Sequence, residues 1–173
     1  MSSIASHAMP FQMSGLPIDR RQFRGACAMF ATGVTIVTAM AADGSPQGMT
    51  VNSFTSVSAD PPQVLVCVDR RARMHDIFFE GSCFAVNVLD ESQRDISTRF
   101  ASSIEDRFSG IEWTAGATGA PLFPGTLAVF ECEVRQLVVA GDHTIVIGEV
   151  IRLEAAEGRP LLFFGSGYQR LGN

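Results

Sequence analysis

The sequence predicts a mainly β fold, a closed or nearly closed barrel with two or three short helices, on three observations. Short runs rich in Val, Ile, Thr and Phe, six or seven in all, recur at a spacing of roughly ten residues, with turn residues between them. Helical periodicity is confined to brief stretches, so long helices do not alternate with strands and a doubly wound parallel sheet is disfavoured. Closure is how an antiparallel sheet of this size avoids exposed edges.

The elements follow in chain order. Phe23, Ala26, Cys27 and Phe30 stand at the spacing of an amphipathic helix; Asp19 with Gln22 forms a capping box, and Gly33 sits where a left-handed cap belongs. Next, VTIVTAM (34–40) and QGMTVNSFTSVS (47–58) form a hairpin turned at Asp43-Gly44, and Pro61-Pro62 interrupts the pattern. VLVCV (64–68) is too short for a helix and suits a buried strand. A helical turn over Met74 to Glu80 ends at Gly81, CFAVNVL (83–89) returns to strand, and Glu91 to Ala101 is helical. The polar, glycine-containing stretch from Ser102 to Gly125 reads as loop and as a mobile lid. From Thr126 the strand signal resumes in TLAVFECEVRQLVVA, HTIVIGEVIRLEA and PLLFF, separated by Ala140-Gly141-Asp142 and Glu157-Gly158-Arg159.

Composition narrows the function. A chain of 173 residues supports one cored domain, assigned to 18–173, with 1–17 as a flexible N-terminal tail. With 46% hydrophobic and 18% charged residues it is neither disordered nor membrane-spanning. A net charge of -5 argues against gripping nucleic acid, which needs a dense basic surface. All 13 basic residues are arginine, so an anionic ligand must be held by guanidinium forks, hydroxyls or backbone N–H groups. Cys27, Cys67, Cys83 and Cys132 have no C-x-x-C or metal spacing and read as buried free thiols. The N-terminus lacks a signal-peptide pattern, which predicts a cytoplasmic protein.

Three segments could carry chemistry. Thr50, Asn52, Ser53, Thr55, Ser56 and Ser58 fall within nine residues. On one extended strand Thr50, Asn52, Phe54, Ser56 and Ser58 share a face, which is either a solvent-facing row or a cradle for a heteroaromatic ring. Arg70, Arg71 and Arg73 follow a buried strand, as a solvated loop or as a phosphate grip. Arg99 and Phe100 close a helix, the phenylalanine as core or as ring-stacker. His7, His75 and His143 form no metal-binding spacing, so no metal site is expected. His143, in the turn Gly141-Asp142-His143-Thr144, is a neutral turn residue or a site group. There is no nucleophile elbow, Walker loop or dinucleotide fingerprint, and Gly165-Ser166-Gly167 comes too near the end to open a nucleotide-binding helix.

In order, FRGACAMFATGVTIVTA, GMTVNSFTSVSADPPQVLVCVDR, FAVNVL, RFAS, GDHTIVIGEV and PLLFFGSGYQRL resemble the short-chain flavin reductases of two-component monooxygenases, over about residues 19 to 171. The resemblance implies an FMN-binding split barrel of Greek-key type with a few short flanking helices, usually homodimeric. It implies NADH or NADPH as hydride donor, FMN or FAD as acceptor, and a separate flavin-dependent monooxygenase as consumer of the product. Carried over by residue, Pro46, Gln47, Gly48, Met49, Thr50, Asn52 and Ser53 line the flavin ring, and Cys67, Val68 and Asp69 flank its ribityl chain. Arg73 lies near the phosphate, Arg99 and Phe100 close the site, and His143 meets the nicotinamide as the catalytic position. Ala72 and Met74 stand where the family often has Ser and Thr, which shifts the phosphate grip toward arginine. Hydride transfer between stacked rings about 3 to 3.5 Å apart needs no protein acid or base, in keeping with the absence of a catalytic dyad. Two other readings stand beside this one: a flavin-binding carrier or sensor without turnover, and an interaction domain without cofactor.

Overall fold

The strands that follow one another across residues 46–59 lie at opposite margins of one sheet, and that arrangement shapes the molecule. The computed structural model describes residues 17–172, so the tail assigned to 1–17 lies outside them except for Pro17. In chain order the strands are β1 (Thr32–Gly33), β2 (Thr35–Met40), β3 (Pro46–Val51), β4 (Thr55–Ala59), β5 (Pro62–Asp69), β6 (Cys83–Val88), β7 (Thr114–Ala115), β8 (Pro121–Leu122), β9 (Ala128–Ala140), β10 (His143–Ala155), β11 (Leu162–Phe164) and β12 (Gly167–Gln169). Seven of them form an antiparallel sheet in the order β3-β2-β6-β9-β10-β5-β4. A three-stranded sheet β1-β11-β12 and the pair β7-β8 lie beside it.

Only Asn52, Ser53 and Phe54 separate β3 from β4. A link of that length spans at most about 14 Å, so the sheet must curl until its two margins face each other. The margins are joined by the chain crossing and not by a β3–β4 ladder, which makes the barrel split. The polar segment 46–60 is therefore not one ribbon with one polar face: it breaks at Asn52 and changes sheet margin. The Asp43-Gly44 turn is as expected, with Gly44 at φ +81° and Met40 opposite Pro46.

Alternation fills the barrel. Along β5, Val64, Val66 and Val68 point inward and meet Val37, Phe84, Val86, Cys132, Val134 and Val146, with Met74 and Phe78 over one end. Gly148 leaves room for this core, since a Cβ there would lie 2.6 Å from the Phe84 ring. A second cluster outside the barrel joins Val34, Ile36, Leu89, Phe100, Phe108, Phe123 and Leu161. It anchors helix α2 (Arg94–Ala101), which follows a single turn at Glu91–Gln93.

The stretch 102–125 is pinned in place and does not form a free lid. Phe108 and Phe123 pack on Phe100 with ring centroids 4.9 and 5.2 Å away, the Phe123 N–H donates to the buried Asn87 amide oxygen, and Thr118 donates to the buried Glu131 carboxylate. Its aromatic anchors carry no period, so the polar residues around them dominate the sequence signal. Helix α1 (Arg20–Cys27) opens with the expected Asp19/Gln22 capping box but ends at Ala28, and Gly33 belongs to β1. Its apolar stripe is not buried: Phe23 is 61% and Phe30 76% exposed. All four cysteines are free; Cys132 is buried, Cys67 and Cys83 are half-buried, and Cys27 is exposed because its helix packs against no core. No helix among the described residues is long and apolar enough to cross a membrane.

Candidate functional site

Two cavities meet along β3. The first, about 360 Å³, is bordered by Ser45, Pro46, Gln47 and Gly48, by Arg73, and by the loop Glu105–Phe108. The second, about 270 Å³, is bordered by Met49, Thr50, Val51, Asn52 and Ser53, by Cys67, Asp69 and Ala72, and by His143. Gly48 and Met49 are consecutive, as are Ala72 and Arg73, so the two hollows are neighbours along β3, a groove in two parts with Arg73 bordering one and His143 the other. A narrower slot of about 160 Å³ lies beyond Thr50–Asn52, against Phe163 and Tyr168.

The local folding of β3 follows from its contacts. Gly48 is buried flush on α2, and a Cβ there would meet the Phe100 ring at 2.7 Å. The Thr50 hydroxyl donates to the Ser97 carbonyl at 2.7 Å, and the Ser97 hydroxyl is hydrogen-bonded to the Tyr168 hydroxyl at 2.8 Å. Ser53 takes the place of a ladder partner: its hydroxyl accepts from the Cys67 N–H at 3.0 Å and donates to the Cys67 carbonyl at 3.3 Å. The hydroxyls of Thr50 and Ser53 thus hold the strand in position, and Asn52 is the exposed polar side chain of the crossing.

β5 and β10 supply the opposite wall, with Asp69 directly across from His143. The Asp69 carboxylate is held far below the usual range by the Arg71 side chain, then by the Arg71 N–H, against the opposing effect of burial, with smaller contributions from the Arg71 and His143 charges. Arg71 is therefore engaged with Asp69. His143 is oriented by Nδ1, 2.8 Å from Asp142 Oδ1, and Nε2 has no partner among the described residues. The Asp142 carboxyl lies below its ordinary range chiefly through that bond. Val68 is fully buried in the barrel, so its side chain does not reach the groove. Met74 is likewise in the core, while Ala72 borders the groove.

At the other end Arg73 has no ion pair among the described residues. Arg99 lies behind the groove: its guanidinium donates to the carbonyls of Arg107, Asp106 and Ser109 at 2.7, 3.1 and 2.7 Å. Phe100 is 1% exposed beneath Gly48. What Arg99 braces is the loop carrying Arg107, a residue sequence reasoning passed over as part of a mobile segment. The repeated dipeptide Arg99-Phe100 and Arg107-Phe108 was the available signal, with the second arginine at the cavity and the first supporting it. No group of three or more His, Cys, Asp or Glu among the described residues could hold a metal, and the His75 Nε2 is 2.9 Å from the Thr144 hydroxyl.

Chemically, the groove offers guanidinium groups at one end, strand backbone along its length and an imidazole at the other. Such groups can pair with an anion and orient a flat polar ligand.

The chain is similar to known proteins along most of its length. Residues 27–172 match the family model described as "Flavin reductase like domain". The FMN reductase (NADH) SmoA of Agrobacterium fabrum is 45% identical over 152 residues, which are 88% of this chain and 86% of that protein. The stachydrine N-demethylase reductase subunit Stc3 of Rhizobium meliloti is 41% identical over 150 residues, 87% of this chain and 65% of that protein. In another Rhizobium meliloti relative, 44% identical, the chain spans 50% of the length. Among solved structures, the Streptomyces globisporus NADH:FAD oxidoreductase SgcE6, in complex with NAD and FAD fragments, is similar with a TM-score of 0.84 and 41% identity, covering 89% of this chain and 93% of that one.

Proposed function

Because the chain belongs to the family of flavin reductase-like domains, we propose that it transfers hydride from NADH or NADPH to FMN or FAD and supplies the reduced flavin to a separate monooxygenase. The observation that carries this reading is the pair of neighbouring hollows along β3, with arginine bordering one and His143 the other. The residues present fit a flavin. Arg73 suits a phosphate, and Arg73 and Arg107 both border the hollow beside Pro46–Gly48. Relatives named as FMN reductase and as reductase subunits of monooxygenases support the same activity.

The flavin supplies the redox chemistry, accepting hydride from the nicotinamide. The chain's own residues bind and orient. Pro46 to Thr50 with Asn52 and Ser53 seat the ring, chiefly by main-chain groups since the Thr50 and Ser53 hydroxyls are engaged. Cys67, the Val68 backbone and Asp69 flank the ribityl chain, and Arg73 takes the phosphate. Arg99 and Phe100 act from behind, through the loop and through Gly48. His143, fixed by Asp142, would face the nicotinamide. Main-chain N–H groups of the strand would stabilise negative charge on a bound ring without reorganising.

We read the assembly as a homodimer, in which the exposed Phe23, Met29 and Phe30 of the N-terminal region would be covered. Free cysteines throughout the described residues support a cytoplasmic location. Steady-state oxidation of NADH and NADPH with FMN and with FAD tests the activity. Flavin-dependent turnover in at least one combination is expected. Tight flavin binding without turnover in any of the four would favour a carrier and overturn the reductase reading.

A further inference from the structure

We infer that Arg107 is a second anion-binding residue of the groove, gripping the phosphate of the flavin beside Arg73. This rests on the reading of the groove as a flavin site. Arg107 lies on the loop between α2 and β7, 59 positions from Gly48 in sequence, yet its Nη1 donates to the Gly48 carbonyl at 2.7 Å. Its Nη2 donates to the Ser102 carbonyl at 2.6 Å. These are neutral acceptors, and no carboxylate stands within 4.0 Å of the guanidinium among the described residues.

A half-buried cation with neutral partners alone keeps most of the cost of leaving water. Two details make the imbalance local. The Nε is buried without an acceptor, and Arg73 borders the same cavity with the same charge. Burial and the charge of Arg73 both push the Arg107 guanidinium below its usual range. Glu105 and Asp106 also border the cavity but pair with neither arginine; an Asp106 carboxylate oxygen accepts instead from the Ser109 N–H at 2.9 Å. Two like charges beside one cavity are relieved by an anion between them, and a phosphate oxygen suits a guanidinium group.

The test compares ligands that differ only at the phosphate. Dissociation constants for FMN and for riboflavin are measured by flavin fluorescence quenching for the native chain, R107Q and R107K, with thermal unfolding as the check on folding. R107Q is expected to weaken FMN at least tenfold while riboflavin changes less than twofold. R107K keeps the charge, is the variant least disturbing to the fold, and is expected to lower the FMN-to-riboflavin preference by about threefold, a loss below that for two broken charge-assisted bonds. Equal weakening of both ligands would make Arg107 a structural brace and overturn the inference, as would unchanged FMN affinity. A native chain that binds neither ligand would instead overturn the flavin reading itself, before any variant is compared.

Discussion

Replacing Gly48 by alanine asks for space that the protein does not have. The added methyl would lie 2.7 Å from Phe100 Cε1, 2.9 Å from Phe100 Cδ1 and 3.4 Å from Phe108 Cε2. Non-bonded carbons rest about 3.5 to 4.0 Å apart, so roughly 1 Å must be found. Phe100 is poorly placed to yield it, being 1% exposed and wedged edge-on against Phe108 and Phe123. β3 has a free margin, so the strand shifts outward, taking Pro46–Met49 with it and loosening the Gly48 bond to Arg107. Overpacking of this kind costs about 1 to 3 kcal/mol. In a chain of 173 residues, each kcal/mol lowers Tm by about 2 to 4 °C, so the variant should melt about 2 to 12 °C below the native protein. Thermal unfolding followed by circular dichroism measures this, and flavin titration of the same samples should show weaker binding of FMN and riboflavin alike. A variant with native Tm and native flavin affinity would refute the idea that Phe100 presses β3 into the shape of the groove.

Three other perturbations separate the parts of the site. His143→Ala should raise the KM for NADH and leave flavin affinity intact; equal weakening of both would mark the ring as structural. Arg73→Ala should weaken FMN by about 1.5 to 3 kcal/mol, the worth of a hydrogen bond to a charged group, and unchanged affinity in a fluorescence titration would remove it from the phosphate site. Burial pushes the Glu131 carboxyl up, but the Thr118 N–H and hydroxyl, the Ala117 N–H and Arg152 outweigh it and leave the group below its ordinary value. Its stabilising effect is therefore complete above the ordinary glutamate range near pH 4.5 and is lost as pH falls through the lower folded value. Urea midpoints measured downward from pH 7 should fall less steeply in that acid window for Glu131→Gln than for the native chain; parallel curves would contradict this.

The strands were readable because β-branched runs such as VLVCV and HTIVIGEV are both locally extended and buried on alternate residues, so propensity and pattern agree. The start of α1 was equally readable, since a capping box is a contact between residues three apart. Its end was not, because the exposed stripe of Phe23 and Phe30 gives a helical signal that no core answers. The break at Asn52–Phe54 was hidden for another reason: alternation continues through it while the strand changes partner. Of the site, His143 was visible as a turn residue next to an acid. Arg107 was not, because its significance comes from Gly48, a partner distant in the chain that no local pattern announces.

The sheet order also dictates when the groove can exist during synthesis. β5 and β4 reach the rest of the sheet through β10 alone, and β10 pairs with β5 over His143–Glu149. The wall carrying Cys67 and Asp69 and the wall formed by β3 therefore come to face each other only after a ribosome has released the chain beyond that stretch. The β5–β10 pairing joins Asp69 to His143 and Gln63 to Glu149, a high contact-order arrangement. Ligand capture by a nascent or clipped chain would report that the final long hairpin has docked, making flavin quenching a natural clock for the completion of folding.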